Sequence, residues 1–214
     1  MKVKNLSFRY HKRAPYFFKE LSFNLEEGLI HALHGKNGVG KSVLLHILSK
    51  RIEGEAVISG EIVAEKSALM NQQFDQALAC QFTFLENMQF GCLGRFPSPF
   101  SCLKAPSYVM QDHFLKLLEK FYIDVTIPVC KLSGGQRQIL ALLMKLQRET
   151  KILFLDEPTA ALDEQNATMV FEFLKALKGV TILVVCHDQG LICRYTTGRH
   201  LRMEMDSEGL RQLK

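Results

Sequence analysis

The sequence predicts an α/β fold: a mostly parallel core sheet with flanking helices, an N-terminal antiparallel β subdomain and a helical insertion. Three observations lead there. Short apolar runs at Leu29 to Leu33, Ile152 to Leu155 and Thr181 to Cys186 lack strict alternation, as strands buried on both faces do. Between the last two, Val170, Phe171, Leu174 and Leu177 recur at helical spacing, so strand, helix and strand form a βαβ crossover. The run Leu29 to Leu33 passes straight into a glycine-rich turn, after which Val43 to Leu48 supply the apolar positions of a helix.

The remaining elements follow in chain order. In the first thirty residues Val3, Leu6 and Phe8, then Leu21, Phe23 and Leu25, alternate enough to give antiparallel strands. Thr83-Phe84-Leu85-Glu86 matches the capping box S/T-x-x-E and should start a helix. Residues 91–109 hold Pro97, Pro99 and Pro106 and read as a loop. Met110, Phe114, Leu117, Leu118 and Phe121 then mark one face of a further helix. A mostly helical insertion is therefore expected at about 74–147, interrupting a core contributed by both ends of the chain. The stretch from Arg199 to Leu210 reads as a hairpin turning at Asp206 to Gly209.

Composition narrows the function classes. A length of 214 residues suits one domain, and an apolar fraction of 47% argues against disorder. The net charge of +5 is mild; it describes a solvated surface, and no nucleic-acid partner is expected. No apolar run approaches the ~18 residues of a membrane span, and the N-terminus opens without a signal-peptide core, so a cytoplasmic location is expected. The six cysteines form no C-x-x-C pair and read as reduced thiols.

Three segments carry chemistry. Gly35-Lys36-Asn37-Gly38-Val39-Gly40-Lys41-Ser42 fits the phosphate-binding loop G-x-x-x-x-G-K-[ST]. Its glycines let backbone N–H groups converge on phosphate oxygens, Lys41 brings a point charge, Ser42 offers a hydroxyl to Mg²⁺, and the helix that starts there adds its positive end. Downstream, Ile152 to Leu155 ends in Asp156 and Glu157. Asp156 can hold Mg²⁺ through water, and Glu157, pointing elsewhere, is the natural general base for an attacking water. Between them, Ser133-Gly134-Gly135-Gln136 is a second capping box, S-x-x-Q, opening a helix with Ile139, Leu140, Leu142, Leu143 and Leu146. A capped helix start beside glycines is an anion site, and the phosphate loop already covers one side of a triphosphate. The second site most simply completes the site of another copy.

The string Leu132-Ser133-Gly134-Gly135-Gln136, lying between a phosphate loop and an acidic strand, resembles one family: the ATP-binding-cassette (ABC) ATPases. The resemblance covers essentially the whole chain. It implies a P-loop nucleoside triphosphatase of ABC type, with an ATP-binding α/β core at 1–73 and 148–214 and a helical subdomain carrying the signature motif at 74–147. It implies ATP and Mg²⁺ as cofactors. The implied nucleotide contacts are Tyr10, whose ring stacks on adenine 25 residues before Gly35, then Gly35, Asn37, Gly38, Gly40, Lys41, Ser42 and Val43. Ser133, Gly134, Gly135, Gln136 and Asp163 would act on the nucleotide of a second copy. Gln72 stands where the family has a glutamine that touches Mg²⁺ and water and hinges to the insertion; Gln73 competes for that role. His187, at the end of an apolar strand, looks like the switch histidine that reaches the γ-phosphate. The implied catalytic set is thus Glu157, His187 and Gln72, and the implied metal set Ser42, Gln72 and Asp156.

The sequence departs from the family at Val43, where Thr or Ser is usual, and at Met70-Asn71, which unsettles the choice between the two glutamines. His31 and His34 flank the phosphate loop and are expected to have no catalytic part. The function expected from the resemblance is the ATP-hydrolysing subunit of a membrane transporter. It would act as a head-to-tail dimer on separate integral membrane subunits, peripheral on the cytoplasmic face. A non-transport cassette of the iron–sulfur assembly or cell-division type is the alternative. Substrate and direction are not legible.

Overall fold

Side chains that cannot be hydrated decide where the strands lie. The structure, a computed structural model, describes residues 1–52, 54–71, 78–92, 118–146, 150–207 and 209–214. Gln72, Gln73, Met110, Phe114, Leu117 and nearly all of the 91–109 loop lie outside the described residues. By contact the chain falls into two units: Met1–Leu69 with Lys151–Pro158 and Gly179–Lys214, and Met70–Thr150 with Thr159–Lys178.

The first unit is built on one sheet. Among the described residues nine strands line up in the order β4-β1-β2-β9-β8-β3-β7-β6-β5. They are β1 (Lys2–Arg9), β2 (Phe18–Asn24), β3 (Ile30–His34), β4 (Val57–Val63), β5 (Ser67–Met70), β6 (Ile152–Asp156), β7 (Thr181–Val185), β8 (His200–Met205) and β9 (Arg211–Leu213). β3, β6, β7 and β8 run parallel, and β6 and β7 are paired from Ile152↔Thr181 to Asp156↔Val185. The expected antiparallel N-terminal strands form, with Val3 opposite Phe23, Leu6 opposite Leu21 and Phe8 opposite Phe18. The C-terminal hairpin forms too: β8 and β9 pair antiparallel, and Asp206 donates its N–H to Leu210 across the turn.

Helix α1 (Lys41–Leu48) buries Leu44, Leu45, Ile47 and Leu48 in one apolar core with Phe8, Phe18, Leu33, Phe154, Leu183 and Met203. Each such side chain contributes about 1.5–3 kcal/mol by leaving water. The short helix α5 (Gln189–Tyr195) is capped by Asp188, whose carboxylate accepts from the Leu191 N–H. β4 and α5 carry no clear signal in the sequence. Five of the seven β4 residues are exposed and none is buried, as fits a strand at the sheet edge.

The second unit is helical: α2 (Phe84–Cys92), α3 (Gly134–Leu146) and α4 (Glu164–Ala176), with α3 packed against both others. The first expected capping box closes as drawn, since Glu86 Oε2 accepts from the Thr83 N–H at 2.7 Å and Thr83 Oγ1 accepts from the Glu86 N–H at 3.2 Å. Buried Asn87 ties α2 to the preceding turn: it donates to the carbonyls of Ala79 and Thr83 and accepts from the Ala79 N–H. The grouping by contact differs from the 74–147 division: it runs from Met70 to Thr150 and adds Thr159–Lys178. Residues 159–178, with α4, cluster with α3, because α4 lies along it and Phe173 meets Phe121 at 5.6 Å between ring centres.

Candidate active site

β3 and the two strands beyond it, β7 and then β6, deliver the candidate chemistry at their C-terminal ends, where parallel α/β sheets bind ligands. After β3 the phosphate loop turns sharply. Gly35 has φ of 152° and Gly40 φ of 108°. A Cβ at Gly35 would come within 2.6 Å of the Met203 carbonyl, and one at Gly40 within 2.6 Å of the Phe17 ring, so neither position admits a side chain. Lys41 is buried, and its ammonium donates to the carbonyls of Gly35 at 2.8 Å and Lys36 at 3.1 Å. Gly40 is the N-cap of α1 and gives that helix no side-chain acceptor. Asn37, Gly38 and Ser42 are exposed along the same stretch; Val43 is half-buried against the core.

Tyr10 is half-exposed and stands edge-on to Phe8 and Phe17, at 5.0 and 5.4 Å between ring centres. The Phe17 ring beneath it touches Gly40 and carries the Arg211 guanidinium 3.9 Å from its centre. The arrangement is a braced aromatic with a free face beside the phosphate loop, suited to stacking on a planar base.

Asp156 ends β6 opposite Val185, which ends β7. The next residue, Glu157, takes a left-handed φ of 51° and donates its N–H to the Val185 carbonyl at 2.8 Å. Such a conformation costs a non-glycine residue roughly 1 kcal/mol or more. His187, two residues beyond Val185, meets Glu157: His187 Nε2 lies 2.8 Å from Glu157 Oε1. A carboxylate and an imidazole in contact just beyond the C-terminal ends of β6 and β7 can hold and move the proton of an attacking water.

The signature segment lies in the second unit. Its capping box closes reciprocally, with the Ser133 N–H donating to Gln136 Oε1 at 3.0 Å and the Gln136 N–H donating to Ser133 Oγ at 3.2 Å. Gln136 Nε2 donates onward to the Tyr122 carbonyl. The two glycines permit close approach by the start of α4. A Cβ on Gly134 would sit 2.8 Å from Leu162, and one on Gly135 2.8 Å from Asn166 Oδ1. Asn166 is a residue that the sequence reading missed. Its Oδ1 accepts from Ser133 Oγ at 2.9 Å and from the Gly135 N–H at 3.0 Å, while its N–H and Nδ2 donate to the two oxygens of Asp163. Those bonds from Asn166 hold the Asp163 carboxyl below the usual carboxylate range. No local pattern signals the bonds to Ser133 and Gly135, which lie 33 and 31 positions from Asn166.

Two histidines flank the loop. His31 is buried with both nitrogens used: Nδ1 accepts from the Arg199 N–H and Nε2 donates to the Glu26 carbonyl, so the ring is neutral. Burial pushes its pKa down. His34 Nε2 lies 2.9 Å from His200 Nδ1, the rings stack, and burial followed by His200 and Arg202 lowers the His34 pKa.

A sequence profile described as ABC transporter matches residues 18–160, two thirds of the chain. The chain belongs to the ABC transporter family. It is an ATP-binding cassette, a transport-coupled ATPase. The cassette is 28% identical over 214 residues to the phosphonates import ATP-binding protein PhnC of Treponema denticola, covering 91% of this chain and 82% of that one. It is 33% identical over 193 residues to the achromobactin transport ATP-binding protein CbrD of Dickeya dadantii, covering 82% and 69%. Other relatives are longer, and the chain spans about a third of them: 35% of the galactofuranose transporter ATP-binding protein YtfR of Escherichia coli. Among solved structures it resembles CbiO1 of Clostridium perfringens, part of the transporter complex CbiONQ, with a TM-score of 0.74 and 24% identity over 100% of this chain and 86% of that one.

Proposed function

We propose that two copies of this cassette bind two ATP head to tail and drive separate membrane-embedded subunits from the cytoplasmic face. The carrying observation is the contact between Glu157 and His187 at the ends of neighbouring strands β6 and β7, the second of which adjoins the strand that leads into the phosphate loop. Glu157 takes the proton of the attacking water, and His187 holds that carboxylate in place and senses the γ-phosphate. Lys41 and the α1 N-terminus bind the phosphates, and Tyr10 stacks on adenine. Ser133 and Gly135, with Gly134, Gln136 and Asp163, complete the site of the other copy, which explains why a second phosphate-seeking helix start exists at all.

Mg²⁺ fits the residues present. Ser42 opens α1 and Asp156 ends β6, and α1 packs on β6, so a hydroxyl and a carboxylate, both hard oxygen donors, come from adjoining elements. Among the described residues no group of three His, Cys, Asp or Glu could hold a metal ion, and nucleotide oxygens and water would complete the coordination beside Ser42 and Asp156. Bound there, the ion would neutralise phosphate charge. Gln72 is the proposed hinge and further ligand.

Membrane coupling is assigned to the helical subdomain proposed at 74–147. Among the described residues no helix is long and apolar enough to cross a membrane; in this reading the separate membrane subunits supply the span. Phe82 and Phe90 stand exposed and edge to face on α2 and the turn before it, an apolar pair that suits a protein partner. Relatives named as import proteins favour import as the direction. Phe90→Glu should abolish transport in cells while basal ATPase stays unchanged; unaltered transport would remove this face from the coupling.

A further inference from the structure

The two donors of the signature segment are already taken within this chain. Ser133 Oγ–H and the Gly135 N–H both donate to one atom, Asn166 Oδ1, at 2.9 and 3.0 Å. The amide can point only this way. Its Nδ2 donates to Asp163 Oδ2 at 2.7 Å, and a backbone N–H such as that of Gly135 requires an oxygen facing it. The Asn166 N–H meanwhile caps α4 through Asp163 Oδ1 at 2.8 Å, a bond that does not need the side chain.

We infer that Asn166 is an internal latch: its amide oxygen competes with the partner's γ-phosphate for Ser133 and Gly135, and its release also frees Asp163. The inference rests on the proposed head-to-tail dimer, in which those two donors serve the other copy's nucleotide. Phosphate can use them only when the Asn166 amide swings out. The same swing breaks the Nδ2 bond to Asp163, so two groups assigned to the partner's site are freed in one movement. A donor pair satisfied by a neutral amide costs little to keep in the single chain, whereas leaving it unpaired would cost a desolvated N–H. The latch thus sets the ATP level at which two copies close, with no part in the chemistry of hydrolysis. Closure itself is a shift between two arrangements of one side chain, and its size is the differential binding of the two acceptors.

The test measures ATP-dependent dimerisation by sedimentation, in full-length chains carrying Glu157→Gln so that bound ATP persists. Adding Asn166→Ala removes the competing acceptor and keeps the backbone cap of α4. Half-maximal dimerisation should move to about tenfold lower ATP, the worth of roughly one net hydrogen bond. Asn166→Asp keeps the size but sets a second carboxylate beside Asp163 and against incoming phosphate; it should demand at least tenfold more ATP. If Asn166→Ala left dimerisation unchanged or weakened it, Asn166 would be a support for the signature segment and the latch would be overturned. Ser133→Arg in the same background separates this from the underlying reading. Loss of the dimer there upholds the shared site whatever Asn166 does, and an undiminished dimer overturns the shared site and the latch together.

Discussion

The chain has two helix starts of the kind that hold phosphate, and they are finished differently. α1 begins at Gly40, which offers no side-chain acceptor, and the nearby Lys41 ammonium rests on carbonyls five and six residues away. α3 begins after Ser133, and its first donors are closed by Ser133 itself, Gln136 and the distant Asn166. The first start is open and built from its own neighbourhood. The second is occupied and held from another helix. A site that a chain uses for its own nucleotide can stay exposed to it; a site meant for a partner's nucleotide gains from staying satisfied until the partner arrives.

The largest break in this picture comes from the chemistry at the open site. Glu157→Gln should cut turnover by roughly 10²- to 10⁴-fold while nucleotide affinity holds, the usual worth of a general base. Steady-state ATPase beside nucleotide titration checks it, and near-normal turnover would take Glu157 out of the mechanism. Next in size is the adenine platform. Tyr10→Ala should raise the Michaelis constant for ATP by about 5- to 150-fold, matching ~1–3 kcal/mol of base stacking, with kcat almost unchanged because stacking is present in ground and transition states alike. An unaltered constant would shift the platform to Tyr16 or Phe17.

Smaller effects separate the glycines of the loop. Gly40→Ala should destabilise by about 1–3 kcal/mol, since φ is 108° and the Phe17 ring blocks the Cβ. Gly38→Ala, with φ of 75° but open space around it, should cost less. Thermal melts of both variants would reverse the argument if Gly38→Ala proved the worse. The smallest effect is a pH slope. His31 is buried neutral and its folded pKa lies below the ordinary 6.5. Below 6.5 the unfolded chain therefore binds the proton that the folded chain refuses. Stability should be full above that value, fall as pH drops through it and level off below the folded pKa; His34 adds to the slope in the same sense. Melting temperatures from pH 7.5 to 5.5 should show the decline, flattened in His31→Gln.

What the sequence disclosed tracks how local each signal is. The phosphate loop, both capping boxes, the βαβ unit and the terminal hairpin are written in residues a few positions apart, and the structure forms each of them. β4 was silent because this edge strand, with only Val57 and Ile62 partly covered, buries too little to impose an alternation. α5 is seven residues with one cap, too short for a period to show. The contact of Glu157 with His187 was half-legible: each residue ends an apolar strand, but only the β6–β7 register brings them together. Asn166 was illegible, since nothing near residue 166 announces a partner on α3.

The central claim is that one catalytic site takes parts from two copies. Lys41→Ala removes the phosphate lysine and Ser133→Arg blocks the signature segment, so each variant alone should be inactive. Mixed under conditions that let subunits exchange, they form dimers in which one site has both Lys41 and Ser133 intact and the other has neither. The account predicts that ATPase activity returns in part, greatest near equal proportions. Two inactive proteins that stay inactive at every ratio, with exchange verified, would contradict it.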